Sequence, residues 1–166
     1  MIYASILSSY TVRVAFKRDV ALAPLNVSYG AGVEADVPLY LAIKLDEMGV
    51  AEIVDWDATL QPGDIAALKY VERRESYPSK LPDRFYPRVK LTMYLLSKRG
   101  DLKTLRALAQ EVRELVIERV RKMAALVAAR PDVVNEQSFL ERLEPEERAL
   151  LTSVYTAVVP FILSVI

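Results

Sequence analysis

The chain has 166 residues, 52% hydrophobic and 27% charged, with 22 basic side chains balancing 22 acidic ones. That composition is globular, and the length suits one ordinary domain or two small ones, able to bury roughly 70% of the unfolded surface without a disulfide or metal. Neither cysteine nor histidine occurs, which removes thiol chemistry, imidazole bases and nearly every zinc arrangement; the expectation is no enzyme, no cofactor and no metal.

The opening MIYASILSSYTVRV has no basic segment leading a sustained apolar run. No secretory signal is expected, and a cytoplasmic location follows. Ser9 to Ala15 and Ala21 to Ser28 read as strands. In the first, Val12, Val14 and Phe16 alternate with Thr11, Arg13 and Ala15, the period of a half-buried strand. Lys17-Arg18-Asp19 is the turn between them, and Tyr29-Gly30-Ala31-Gly32 is glycine punctuation. VPLYLAIKLDEMG then reads as a short helix, with Pro38 in its first turn and Gly49 just past its end. Val50 to Val54 is a further strand.

Beyond Gln61 the pattern becomes helical. Pro62-Gly63-Asp64 opens a helix reaching about Glu75, and Asp83 to Lys98 forms a second, with Pro87 tolerable only in its first turn. Asp101 caps the third and longest. Along it Leu102, Leu105, Ala109, Val112, Val116, Val120, Met123 and Val127 recur every three or four residues, a single apolar stripe expected to meet another helix or chain. A short helix spans Glu136 to Leu143, and Pro145 starts the last one, with Glu146 and Glu147 near its positive end. The expected fold class is α+β: a small N-terminal β-rich domain with one short helix, residues 1–60, followed by a larger all-α domain, residues 61–166.

Charge is unevenly spread. Residues 1–60 carry four basic and eight acidic side chains, and Lys69 to Lys103 holds ten bases against four acids. Lys98, Arg99, Arg119, Arg121 and Lys122 are able to meet phosphates. Because Glu111, Glu114 and Glu118 share the long helix, an ion-paired solvated face is the favoured reading and a DNA track the alternative. Asp55-Trp56-Asp57 is the close carboxylate pair beside an aromatic; the favoured reading packs Trp56 at the junction and leaves the aspartates solvated. No phosphate-cradling glycine motif occurs. Ala149 to Ile166 contains no charge. Its polar residues, Pro160 and an acidic upstream flank make a poor membrane anchor, so no membrane is expected and the helix is read as covered by another chain. Tyr94, Tyr155, Val158, Phe161 and Ile162 are the candidate interface residues.

Two segments carry a family resemblance. Asp36-VPLYLAIKL-Asp46 followed by AEIVD resembles the helix and strand near the end of the small β-domain in GINS subunits. Glu72-Arg73-Arg74-Glu75, then Leu81-Pro82, then Phe85-Tyr86 ahead of an apolar helix is similar to the handover between the first helices of the α-domain in the eukaryotic subunit Psf-two. The resemblance covers about residues 12 to 128 and is to the class with the β-domain first, the counterpart of Psf-two and Psf-three. The short β-domain and lack of a tail suggest the archaeal form, and the scarcity of asparagine and glutamine a thermophile.

What the resemblance implies is a non-catalytic scaffold. It would join sister subunits in a homo- or heterotetramer and bridge the MCM helicase to a RecJ-like partner at the replication fork. Unwinding would be stimulated, and DNA contact would be indirect or weak. The alternative is a small DNA-binding module using the basic Lys69–Lys103 region. Residues 70–87 are then a strap between helices, stiffened by Pro78 and Pro82. Tyr77, Phe85 and Tyr86 are its aromatic anchors, and Arg73 and Arg74 are suited to pairing with carboxylates across an interface.

Overall fold

The structure is a computed structural model that describes residues 10–22, 27–57 and 59–165. The fold is α+β, and the chain divides into two compact units, Met1–Thr59 and Leu60–Ile166.

In the first unit, β1 (Thr11–Phe16) is the middle strand of a three-stranded antiparallel sheet. It is flanked by β4 (Glu34–Pro38) and β5 (Ala51–Ile53). The alternation seen in the sequence is physical: Val12, Val14 and Phe16 are buried, whereas Thr11 and Arg13 face water. Val12 lies opposite Val37 and Val14 opposite Ile53, so the register puts apolar side chains on one face. That face is covered by α1 (Leu39–Glu47), which buries Leu39, Ala42 and Leu45. Pro38 is the last strand residue and precedes the helix, one step earlier than expected, while Gly49 closes it with the left-handed φ of 66° that a side chain would resist.

Two features of this unit differ from the sequence reading. Ala21 to Ser28 does not continue as one strand. β2 (Val20–Leu22) and β3 (Val27–Tyr29) pair antiparallel, with Val20 opposite Tyr29 and Leu22 opposite Val27. The segment folds back on itself, and its sequence holds Pro24, which has no N–H to give to a ladder. Residues 23–26, like Ser9 and the opening segment, lie outside the described residues. The second difference is β4, which the sequence reading merged into the approach to α1. Its exposed Glu34 and Asp36 masked an alternation whose buried partner is Val37.

The second unit is helical, with α2 (Pro62–Arg74), α3 (Phe85–Arg99), α4 (Leu102–Ala129), a 3₁₀ turn (Pro131–Asn135), α5 (Gln137–Leu140) and α6 (Pro145–Val165). Local signals set the ends. Asp64 accepts the Gln61 N–H at 2.8 Å, and Asp101 accepts the Thr104 N–H at 3.1 Å. Gly100, with φ 73°, ends α3.

The buried line on α4 is not the expected stripe. Leu102 is 53% exposed, and Leu105, Ala109, Val112, Val116 and Val120 are half-buried. The fully enclosed positions are Leu108, Leu115, Arg119, Met123 and Val127. After Leu115 they advance in steps of four, each of which turns the line by about 40° around the helix. The reason is that α4 serves two cores. Leu108 and Leu115 pack with Ile65, Phe85 and Val89 of α2 and α3, whereas Met123 and Val127 pack with Val133, Phe139 and Leu151 beyond it. A helix that changes neighbours halfway along must change its buried face.

Candidate protein interface

Between those two cores lies a buried charge cluster. Arg119 is completely enclosed, and every guanidinium N–H has an acceptor. Nε and Nη2 donate to the two oxygens of Glu147, at 2.6 and 2.7 Å. Nη1 donates to Glu72 Oε2 at 2.7 Å and to the Ser79 carbonyl at 2.6 Å, and Nη2 reaches the Arg142 carbonyl at 3.5 Å. Five donors in one plane match this set, which a lysine has too few donors to satisfy.

The carboxylates have further partners on their other side. Glu72 Oε2 also accepts the amide and hydroxyl of Ser79, at 2.9 and 2.7 Å. Lys122 lies 3.0 Å from Glu72 Oε1, an ion pair without hydrogen-bond geometry, and donates to the Glu72 carbonyl. Burial alone would raise the Glu72 carboxyl. The Ser79 and Lys122 contacts, with the Arg119 charge, outweigh it and hold the group below the usual carboxylate range. Glu147 accepts the Tyr86 hydroxyl at 2.7 Å and the Glu144 N–H at 3.0 Å. Burial, then the charge of Glu147, pushes the Tyr86 phenol up, so it stays a donor. Glu144 and Glu146 are both raised, chiefly by burial.

This cluster fixes the strap. Pro78, Ser79 and Leu81 are buried while Lys80 between them is exposed. Ser79 is the central clamp, using its N–H, hydroxyl and carbonyl on Glu72 and Arg119. Arg84, with φ 58°, is the non-glycine residue among those described with a left-handed backbone, and its side chain makes no cap for α3. Instead Glu144, distant in sequence, accepts the Phe85 N–H at 3.3 Å.

The strap anchors divide accordingly. Phe85 is fully buried in the first core, and Tyr86 packs against it edge-on while bonding Glu147. Tyr77 meets the Phe139 ring edge-on at 6.2 Å and accepts a hydrogen bond from Arg130. Arg73 and Arg74 stay on the surface within their own chain. Arg73 is 3.8 Å from Glu114, and Arg74 lies over the Tyr70 ring and donates to its hydroxyl at 2.6 Å.

The proposed interface residues also divide. Tyr155 packs partly against the second core, Tyr94, Val158 and Ile162 are half-buried, and Phe161 is 68% exposed. Leu163 and Val165 are open to a similar degree. Pro160 sits inside α6 and cannot donate to the Thr156 carbonyl, so the regular helix ladder is interrupted just where the apolar surface opens. By length and composition α6 is also able to cross a membrane.

One sequence expectation needs correction. Arg119 is on neither a solvated ion-paired face nor a DNA track; it is the centre of a closed cluster. Trp56 is 40% exposed. Part of the basic Lys69–Lys103 stretch is engaged internally, since Lys69 contacts both Glu111 and Glu114 at 2.6 Å. Among the described residues no group of carboxylates is arranged to hold a metal ion. Glu72, Ser79, Arg119 and Glu147 were not singled out from sequence as partners. The readable hint was an arginine lying on the inner side of a long amphipathic helix.

The strap is fastened to the start of α6, and the far end of the same helix leaves apolar side chains open. The family model of the GINS complex protein helical bundle domain, Sld5, matches residues 59–165. The chain belongs to the GINS family. Among curated proteins none matches it. GINS proteins are non-catalytic subunits of a DNA replication complex, and the GINS helical bundle implies association with other GINS subunits. The match spans the helical unit that contains the strap, the Arg119 cluster and α6.

Proposed function

We propose that this chain is a scaffold subunit of the β-first GINS class, assembled with sister subunits into a tetramer. The assembly bridges the MCM helicase and a RecJ-like partner at the fork and stimulates unwinding, in the cytoplasm at the nucleoid. In this reading residues 1–60 and 61–166 act as two modules, and contact with DNA is indirect or weak.

The observation that carries the reading is the open apolar end of α6, with Phe161, Leu163 and Val165 at 68, 71 and 72% exposure, in a family whose members assemble. Covering one such side chain contributes about 1.5–3 kcal/mol, so a few of them supply a substantial part of a subunit contact. The buried Arg119 cluster supports the same reading by holding the strap and the start of α6 in one arrangement, ready to be matched by a partner.

The experiment is co-expression with candidate sister subunits followed by native mass measurement, then capture of MCM and of the RecJ-like protein by the purified assembly. A tetrameric mass with retention of both partners is the expected result. A stable lone monomer, or partition of the chain into lipid vesicles, defeats the reading.

A further inference from the structure

The outward side of α4 carries arginines that no described acidic side chain pairs with. At about 100° per residue, Leu102, Arg106, Arg113 and Ile117 fall within an arc of about 60°, with Arg121 about 40° beyond it. All five are exposed, Leu102 to 53% and Ile117 to 40%. Among the described residues none of the three arginines makes an ion pair. Of the three acids on the same helix, Glu111 and Glu114 are held by Lys69 on α2, and Glu118 lies about 100° or more around the helix from Arg106, Arg113 and Ile117. The sequence reading weighed Arg121 against those glutamates and did not consider Arg106 or Arg113, which lie about 80° or more around the helix from Glu114 and farther from Glu111.

We propose that this stripe docks an acidic amphipathic helix of a separate protein partner. Three observations choose that occupant. First, apolar Leu102 and Ile117 lie among the arginines, and a run of phosphates would leave both uncovered, whereas an amphipathic helix covers them. Second, Arg106, Arg113 and Ile117 follow the alternating three- and four-residue spacing through Gln110, which is the seam geometry of two packed helices. Third, the same seam of a second copy of this chain holds no carboxylate to meet these arginines, whereas a separate acidic helix supplies them. The guanidinium forks suit carboxylates spaced on a facing helix. From Leu102 to Arg121 the stripe runs about 28 Å, some five helical turns. This surface is separate from the α6 contact and does not depend on it.

The test uses the full chain and a fluorescein-labelled designed helix about 21 residues long, with glutamates placed to face the three arginines and leucines to face Leu102 and Ile117. Anisotropy should report binding that weakens at least tenfold in the Arg106→Glu/Arg113→Glu variant and several-fold as salt rises from about 0.05 to about 0.5 M. Circular dichroism should show the variant folded, since both positions are exposed. The native mass of the assembly should be unchanged. Phe161→Asp, which targets the subunit contact, should leave peptide binding intact. Tighter binding of a DNA duplex through the same arginines overturns the proposal, as does peptide binding indifferent to them or undetectable binding. A fall in native mass on charge reversal also overturns it, by assigning the stripe to contacts between subunits.

Discussion

Arg119 on α4 grips Glu147 on α6 through two near-parallel hydrogen bonds of 2.6 and 2.7 Å, with both side chains closed off from water. The same guanidinium holds Glu72 of α2 and the Ser79 carbonyl of the strap. One side chain therefore joins three helices and the connection between them. Dissolving such a cluster into water is favourable for each ion alone, so what keeps it is the hydrogen bonding of every Arg119 donor together with the Lys122 charge beside Glu72 Oε1. The strap's fixed course is a consequence of those contacts.

Arg119→Ala should be among the most damaging substitutions in the helical unit. It leaves Glu72 and Glu147 buried without their cation, and losing one partner of a buried pair costs about 3–5 kcal/mol. Arg119→Lys should also destabilise, because three ammonium donors cannot replace the five hydrogen bonds of the guanidinium fork. Urea unfolding of the two variants measures this; a Lys variant as stable as the parent would show that charge alone, without the fork, holds the cluster.

The Glu72 carboxyl lies below its unfolded value, so its contribution is fully present above about pH 4.3 and is lost as pH falls through the depressed folded value. The stability gap between the parent and Glu72→Gln should accordingly be constant from neutral pH down to that point and close in stronger acid. Thermal melts across the range read it directly. A gap that persists unchanged into strong acid would place the effect in packing.

Glu146 has the opposite sign. Burial and the nearby Glu147 raise its carboxyl, and its Oε2 is buried without a hydrogen-bond partner. The folded state thus favours the protonated form, and ionisation destabilises it as pH rises. Glu146→Gln should raise the melting temperature slightly at neutral pH, an effect kept small by the favourable place of a carboxylate in the first turn of α6. The gain should vanish as the solution is acidified past the raised carboxyl. A loss of stability at neutral pH would mean the helix-end interaction outweighs the burial.

Phe161→Asp and Tyr155→Asp should separate assembly from folding. Phe161 is exposed in the single chain, so its replacement should lower the native oligomeric mass and leave the helical circular dichroism unchanged. Tyr155 packs against the second core, and an aspartate there should also cost stability of the chain itself, on the order of 1–3 kcal/mol. Native mass and melting temperature, taken together, distinguish the two. Full-mass assemblies of the Phe161→Asp variant would remove the end of α6 from the subunit contact.

The helix ends were legible because they rest on adjacent residues: Asp101 capping Thr104, Pro62 opening α2, and Gly49 closing α1. The strap could also be read, from Pro78, Pro82 and the aromatics beside them. Its fastening could not. Glu72 and Arg119 are 47 positions apart, and Arg119 and Glu147 are 28. A lone charged residue on an amphipathic helix is ordinarily assigned to water, since no sequence window contains the partners that permit burial.

The sequence by itself determined the absence of thiol and imidazole side chains, the order of a strand-rich segment before a helical one, and a family resemblance that the match over the helical unit supports. These depend on which side chains exist and on backbone preferences that act over a few residues. Only the tertiary structure decided which face of α4 is enclosed, which charges are paired, and that the basic Arg106–Arg113–Arg121 face is left open. Those outcomes depend on which helices arrive at each surface, and burial of a charge is favourable only after its partners from distant segments have come together.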